Sequence, residues 1–186
     1  MSDVTGPDVH RCEACPRLVA CRSQIVNGRG DADADLVVVG EAPGRVEDAE
    51  GVPFVGRSGT ILDEAIQANG VNPDRVRITN CVRCRPPENR DPRVGERANC
   101  RRHLDRELAE VDPTVVLALG RIPAQELVGE RLTVTERAGE VLERELGGAT
   151  RQLVIGLHPA ATLYDRSKTP VFEAALTTAI ELADLG

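Results

Sequence analysis

The sequence predicts an α/β fold, a three-layer α/β/α sandwich around a short, mainly parallel four-stranded sheet. Three observations carry that expectation. Short apolar runs alternate along the chain with segments of helical period, which is the order of a βαβ fold. Each run is apolar throughout instead of at every second residue, the mark of strands buried on both faces. Each run also stops at a glycine or polar residue, so Glu41, Asn80, Gly120 and His158 directly follow strands. In a parallel sheet such residues share one rim, where open α/β sheets bind ligands.

The elements follow in order along a single domain, residues 1–186. Residues 1–10 read as a loose tail, and residues 11–30 form a cysteine-bearing N-terminal segment. Within it, residues 17–22 are helix-compatible and Asn27-Gly28-Arg29-Gly30-Asp31 is a turn. Residues 36–39 form the first strand. The loop from Gly40 to Gly59 is too rich in glycine and proline for a regular element, yet it carries Phe54, one of only 2 phenylalanines. In a chain this poor in aromatics, a ring left in a loop points to a stacking role or to a cap on the core. Ser58 or Thr60 caps a helix whose apolar face is Ile61, Leu62, Ala65 and Ile66, stopped at Asn69-Gly70. The second strand is 76–79, ending at Asn80. Residues 85–92 are a proline-rich excursion that excludes regular structure. A helix over 94–110 carries Cys100. The third strand, 115–119, leads through Gly120 into a short helix over 124–128. Residues 132–146 read as a small hairpin or irregular strand pair, and 152–157 form the fourth strand, ending at His158-Pro159. A final helix begins at Pro170, a residue suited to a first helical turn.

At 186 residues the chain is long enough to close a core. No apolar run has the length of a membrane span, and the start lacks the apolar region of a signal peptide, so a cytoplasmic, nucleoid-associated monomer without membrane contact is expected. The net charge of -7 argues against a nucleic-acid partner. Its distribution argues the other way, because residues 75–106 hold ten arginines and four acids. An acidic body with one basic segment can grip a phosphate chain on one side. Lys168 is the only lysine; with the acidic excess this suggests a salt-rich cytoplasm or a GC-rich genome.

The 6 cysteines of a cytoplasmic chain point to metal or redox chemistry instead of disulfides. Cys12-x-x-Cys15 and Cys81-x-x-Cys84 have the spacing of a four-cysteine zinc site. Cys21, Cys100 and the nearby His103 leave the ligand set open. Spacing establishes only that a metal or cluster joins the N-terminal segment to the middle of the chain.

Together, Cys12-x-x-Cys15, Gly40-Glu41-Ala42-Pro43-Gly44, Glu47-Asp48, Gly51-Val52-Pro53-Phe54-Val55-Gly56-Arg57-Ser58-Gly59, Ile78-Thr79-Asn80, Cys84-Arg85-Pro86-Pro87-Glu88-Asn89-Arg90, Glu96, Cys100 and His158-Pro159 resemble the family 4 uracil-DNA glycosylases. The similarity runs in order over roughly residues 11–166. It implies a [4Fe-4S] cluster on Cys12, Cys15, Cys84 and Cys100, with Cys21 and Cys81 structural. It also implies a partner, uracil-containing DNA, and a reaction, hydrolysis of the N-glycosidic bond of a flipped uracil to leave an abasic site that initiates base excision repair. Gly40, Ala42, Phe54 and Asn80 would bind the substrate, with Phe54 stacked on the base and the Asn80 amide reading its edge. His158 would stabilise negative charge collecting on the leaving base, and Glu41 would hold the attacking water or stabilise the cationic sugar.

The chain departs from that family after His158-Pro159. Ala160 stands where the family has serine, and the wedge that fills the vacated base stack falls on Leu163 or in the region of Thr162. Two rival readings are a uracil-DNA-binding protein of the same superfamily, covalent or non-catalytic, and a zinc-stabilised nucleotide-binding module. The first rival lacks support at Ala42, where those relatives carry glutamine, and no basic histidine-bearing insertion lies between Gly44 and Phe54. The second leaves Phe54 and Asn80 without a purpose.

Overall fold

A computed structural model describes residues 8–186. Its centre is a sheet of five strands, β1 (Leu36–Gly40), β2 (Arg77–Asn80), β3 (Val115–Leu119), β4 (Val141–Leu146) and β5 (Ala149–Gly156), in the order β2-β1-β3-β5-β4. The first three strands and β5 run parallel, as expected, and β4 pairs antiparallel with β5. The expected four-stranded sheet therefore gains one edge strand. Its turn is Gly147-Gly148, both at positive φ (61° and 82°), the backbone a two-residue hairpin requires. The hairpin placed within 132–146 thus turns one residue later, and its second arm is the start of β5.

Among the described residues eight α-helices accompany the strands: α1 (Pro16–Val19), α2 (Arg45–Glu50), α3 (Arg57–Ala68), α4 (Val94–Val111), α5 (Arg121–Val128), α6 (Val134–Arg137), α7 (Ala160–Tyr164) and α8 (Thr169–Leu182). Leu36, Val38, Ile78, Leu117 and Val154 pack with Leu62 and Ile66 of α3 and Phe172, Leu176 and Ile180 of α8. Val37, Val39, Val116, Ala118 and Ile155 face the other way, toward Leu104 and Leu108 of α4 and Ala124 and Leu127 of α5. Successive strand residues point to opposite faces, and both faces are covered. That is the physical reason these strands read as unbroken apolar runs.

Three local expectations are corrected. The glycine-rich loop after β1 contains a regular element, α2, because Glu47 Oε2 accepts the Gly44 N–H at 3.1 Å and Gly51 (φ 75°) closes the other end. The cap of α3 is Gly56, not Ser58 or Thr60, which lie inside the helix. The expected loose tail over 1–10 falls mostly on residues 1–7, outside the described residues; within the rest of it Val9 is buried and donates its N–H to Asn27 Oδ1 at 2.8 Å. An antiparallel bridge between Arg29 and Ile78 then lays the N-terminal segment along β2.

The arginine-rich segment is also less free than its composition suggested. Arg77 and Arg83 are buried on Glu107, Arg90 pairs with Glu96, Arg97 with Glu126 and Arg101 with Asp105. Much of the local positive charge is thereby matched inside the fold. Among the described residues no helix is long and apolar enough to cross a membrane.

Candidate active site

From β1 the chain passes to β2 on one side and then crosses to β3 on the other. The crevice at such a switch point, beyond the carboxyl ends of the strands, is the natural ligand site of this architecture. Here it is a cavity of about 340 Å³ lined by Ala42, Phe54, Asn80 and His158, together with Gly44, Glu47, Gly56, Arg57 and Ser58. Its size suits a small planar ligand.

Each wall has a local cause. Gly40 and Asn80 are register partners at the ends of β1 and β2. A Cβ on Gly40 would lie 2.5 Å from Asn80 Oδ1 and 2.6 Å from the Phe54 ring, so only glycine lets the amide and the ring close over the strand end. Gly40 is the floor beneath the cavity, not part of its lining. Phe54 sits at φ 54°, a strained conformation for a residue with a side chain. It is held there by the first turn of α3, where a Cβ on Gly59 would overlap the Phe54 carbonyl. The ring joins the core beneath the sheet rim, as a core cap does, and also walls the cavity. Its centroid is 5.7 Å from that of His158, with the planes 30° apart. Asn80 is 3% exposed, and among the described residues its side-chain amide has no hydrogen-bond partner. The amide therefore keeps its donor and acceptor open toward the cavity that Asn80 lines.

His158 follows β5, with Gly120 (φ 104°) at its back, 3.2 Å from His158 Cβ to where a glycine Cβ would stand. The Ala160 N–H donates to His158 Nδ1 at 3.1 Å. Nδ1 is therefore the acceptor, and the ring proton resides on Nε2. Burial pushes the imidazole down from 6.5 to about 4. His158 is thus a neutral N–H donor facing the cavity at ordinary pH.

Glu41 stands apart from this trio. It lies between Gly40 and Ala42, but its side chain is not in the cavity lining. Burial pushes its carboxyl above the usual value, the charge of Asp91 adds to the rise, and Arg121 and Arg97 oppose it. The structure brings Asn80, His158, Phe54 and Ala42 together and leaves Glu41 on the flank toward α4 and α5.

A model of the uracil DNA glycosylase superfamily matches residues 27–180. The type-4 uracil-DNA glycosylase of Archaeoglobus fulgidus is 39% identical over 161 residues, covering 84% of this chain and 80% of its own. That of Thermotoga maritima is 36% identical over 168 residues, covering 90% and 85%, and that of Pyrobaculum aerophilum 39% over 162, covering 83% and 81%. The chain belongs to the type 4 family of the uracil-DNA glycosylase superfamily.

In this glycosylase-family chain a second cavity is lined by Cys12, Cys15, Cys84 and Cys100, the four cysteines singled out as ligands, with Leu18, Arg22, Val82 and Asn99. Every one of the four sulfurs meets an N–H group. Arg22 Nη1 reaches Cys84 at 3.0 Å, the Arg83 backbone N–H reaches Cys100 at 3.4 Å and Asn99 Nδ2 reaches Cys15 at 3.6 Å. His103 Nε2 lies 3.4 Å and Arg102 Nη2 3.7 Å from Cys12. Cys21 and Cys81 line no part of this cavity, and burial holds the Cys81 thiol far above its usual range. Among the described residues no three His, Cys, Asp or Glu side chains are gathered as ligands of a single ion.

Glu47, Arg57 and Ser58 were not assigned site roles from the sequence. The glycine and proline around them marked the loop as irregular, and nothing in the residue types showed that α2 and the start of α3 would turn these side chains inward. The expected wedge region is divided: Thr162 is buried and its hydroxyl donates to the Pro159 carbonyl at 2.8 Å, while Leu163 is exposed.

Proposed function

We propose that this protein is a monofunctional DNA glycosylase that takes uracil out of the duplex stack into the Phe54–Asn80–His158 cavity and hydrolyses its N-glycosidic bond, leaving an abasic site. The observation that carries the reading is the convergence of a ring, an amide without a side-chain partner and a neutral imidazole N–H on one cavity. Phe54 supplies a face for the base. The Asn80 amide can accept from uracil N3–H and donate to O4, whereas cytosine offers the opposite pattern on that edge. As the bond to the sugar breaks, electrons pass to the ring, and the Nε2–H of His158 stabilises the oxygen that takes up the charge. Because the imidazole is already neutral, it donates a hydrogen bond without having to gain a proton. Glu41, one residue before the cavity wall, is the carboxylate for the water or for the cationic sugar.

The four-cysteine cavity fits a [4Fe-4S] cluster. Its donor set is all thiol, and the N–H groups around it are the kind that stabilise thiolate sulfur. When bound, such a cluster ties Cys12 and Cys15 of the N-terminal segment to Cys84 and to Cys100 on α4. Nothing in the excision step requires electron transfer.

Uracil-containing oligonucleotide incubated with the protein, treated with alkali and run on a denaturing gel tests the reaction. Cleavage at the uracil position after alkali alone supports it; a gel-stable protein adduct without cleavage would mean a binder. Iron and acid-labile sulfide in the purified protein test the cluster, and zinc in their place would overturn it. Asn80→Asp keeps the shape and loses the donor, so kcat/KM for uracil is expected to fall at least about 10- to 100-fold.

A further inference from the structure

The chain has three aromatic residues other than histidine, and two are in the core: Phe54 is 5% and Phe172 1% exposed. The third, Tyr164, is the only tyrosine and is 91% exposed. Leu163 beside it is 39% exposed. Scattered apolar side chains on a surface need no explanation, but these two are adjacent and follow His158 of the cavity wall by five and six residues. They end α7, and α7 is anchored on His158. The Ala160 N–H bonds His158 Nδ1 at 3.1 Å, and the Ala161 N–H bonds the His158 carbonyl at 2.9 Å. At a helical rise of about 1.5 Å per residue, Tyr164 lies roughly 6 Å along α7 from Ala160, whose N–H holds the imidazole.

The charge around the ring fits the same partner. Arg166 is exposed and among the described residues forms no ion pair, and Lys168 follows two residues later. The carboxylate of Asp165 is turned back on its own loop, accepting from the Ser167 hydroxyl and backbone N–H and lying 3.7 Å from Lys168. An exposed ring beside an unpaired cation, here Arg166, is the arrangement by which proteins hold bases of a strand without reading their sequence.

We propose that Tyr164 stacks on a base flanking the extruded nucleotide, holding the strand in register with the cavity. This rests on the DNA reading above and adds to it a contact separate from the cavity and from the wedge expected at Leu163. Tyr164 is a positioning residue: it orients the strand and touches none of the reacting atoms.

Two measurements on the complete protein test it. Tyr164→Ala is expected to raise KM for both single-stranded and duplex uracil oligonucleotides on the order of 10- to 100-fold, with kcat within about twofold, and Tyr164→Phe to restore it. Because the chain has 1 tyrosine, protein labelled with 3-fluorotyrosine gives a single fluorine resonance, which should move upfield as a base stacks on the ring during titration with the oligonucleotide. Unchanged KM in Tyr164→Ala together with a stationary resonance, in a protein that still excises uracil, overturns the stacking contact and leaves the glycosylase reading standing. Failure of the unaltered protein to bind or excise uracil DNA overturns both.

Discussion

Replacing His158 with alanine is expected to lower kcat for uracil excision about 10²- to 10³-fold, the loss found when one preorganised donor to a developing oxyanion is removed. Substrate binding should change little, because Phe54 and Asn80 still wall the cavity. Single-turnover excision by wild type and His158→Ala on the same oligonucleotide measures the effect. Equal rates would show that the imidazole does not face the leaving base. His158→Gln retains an N–H and should recover part of the loss.

The pH dependence separates this neutral donor from an ordinary histidine. His158 is held down to about 4 in the folded protein against 6.5 when free. Across that interval the unfolded chain binds more protons than the native one, so this contribution to stability is complete above about pH 6.5 and declines as pH falls toward 4. The imidazole meanwhile stays neutral through pH 6.5, so kcat/KM should show no inflection there. The acid limb belongs first to Glu41, whose carboxyl burial raises above 4.5. Arg121→Ala should carry that limb to higher pH. It removes a cation that opposes the rise, and it strips Asp91 of its 2.5 Å ion pair, leaving an unmatched negative charge nearby.

What could be read from the chain follows what each residue type fixes locally. β3 and α4 were legible to within a residue at their ends, because unbroken apolar runs and long helical periods have few competing explanations. Asn80 and His158 were legible as residues of the shared rim for the same reason: the end of a buried parallel strand must lie there. The side chain of Glu41 was not, since strand ends fix the position of a residue and not the direction its side chain takes. β4 alternates exposed and partly buried residues from Val141 to Glu145, and its signal was the Gly147-Gly148 turn that followed it. Arg83 was counted with a basic surface because arginine usually lies there, yet it is 1% exposed. Its burial depends on Glu107, 24 residues away, a distance no local pattern spans.

That buried carboxylate underlies the second large effect. Glu107, fully buried on α4, accepts from Arg77 Nε at 2.8 Å and Arg83 Nη2 at 2.5 Å. The two guanidinium groups reach on to the N-terminal segment, Arg83 to Asn27 Oδ1 at 3.2 Å and Arg77 to the Gly30 carbonyl at 3.3 Å. A Cβ on Gly28 would stand 2.4 Å from Glu107 Oε1, so the segment passes directly over the carboxylate. Glu107→Ala leaves the buried Arg83 without its anion and Arg77 with only the half-exposed Asp8 at 3.5 Å, and about 3–5 kcal/mol of stability should be lost. The measurement is the urea midpoint, with m unchanged if the native fold persists. Replacing Glu107, Arg77 and Arg83 together with apolar residues of similar volume should recover most of that loss, because it removes the uncompensated charge along with its partner. A triple variant as unstable as Glu107→Ala would mean that packing, not charge, sets the cost. The backbone N–H of Arg83 also serves Cys100, so a loosened network should reach the sulfur cavity: iron bound per chain should fall in Glu107→Ala before the sheet itself unfolds.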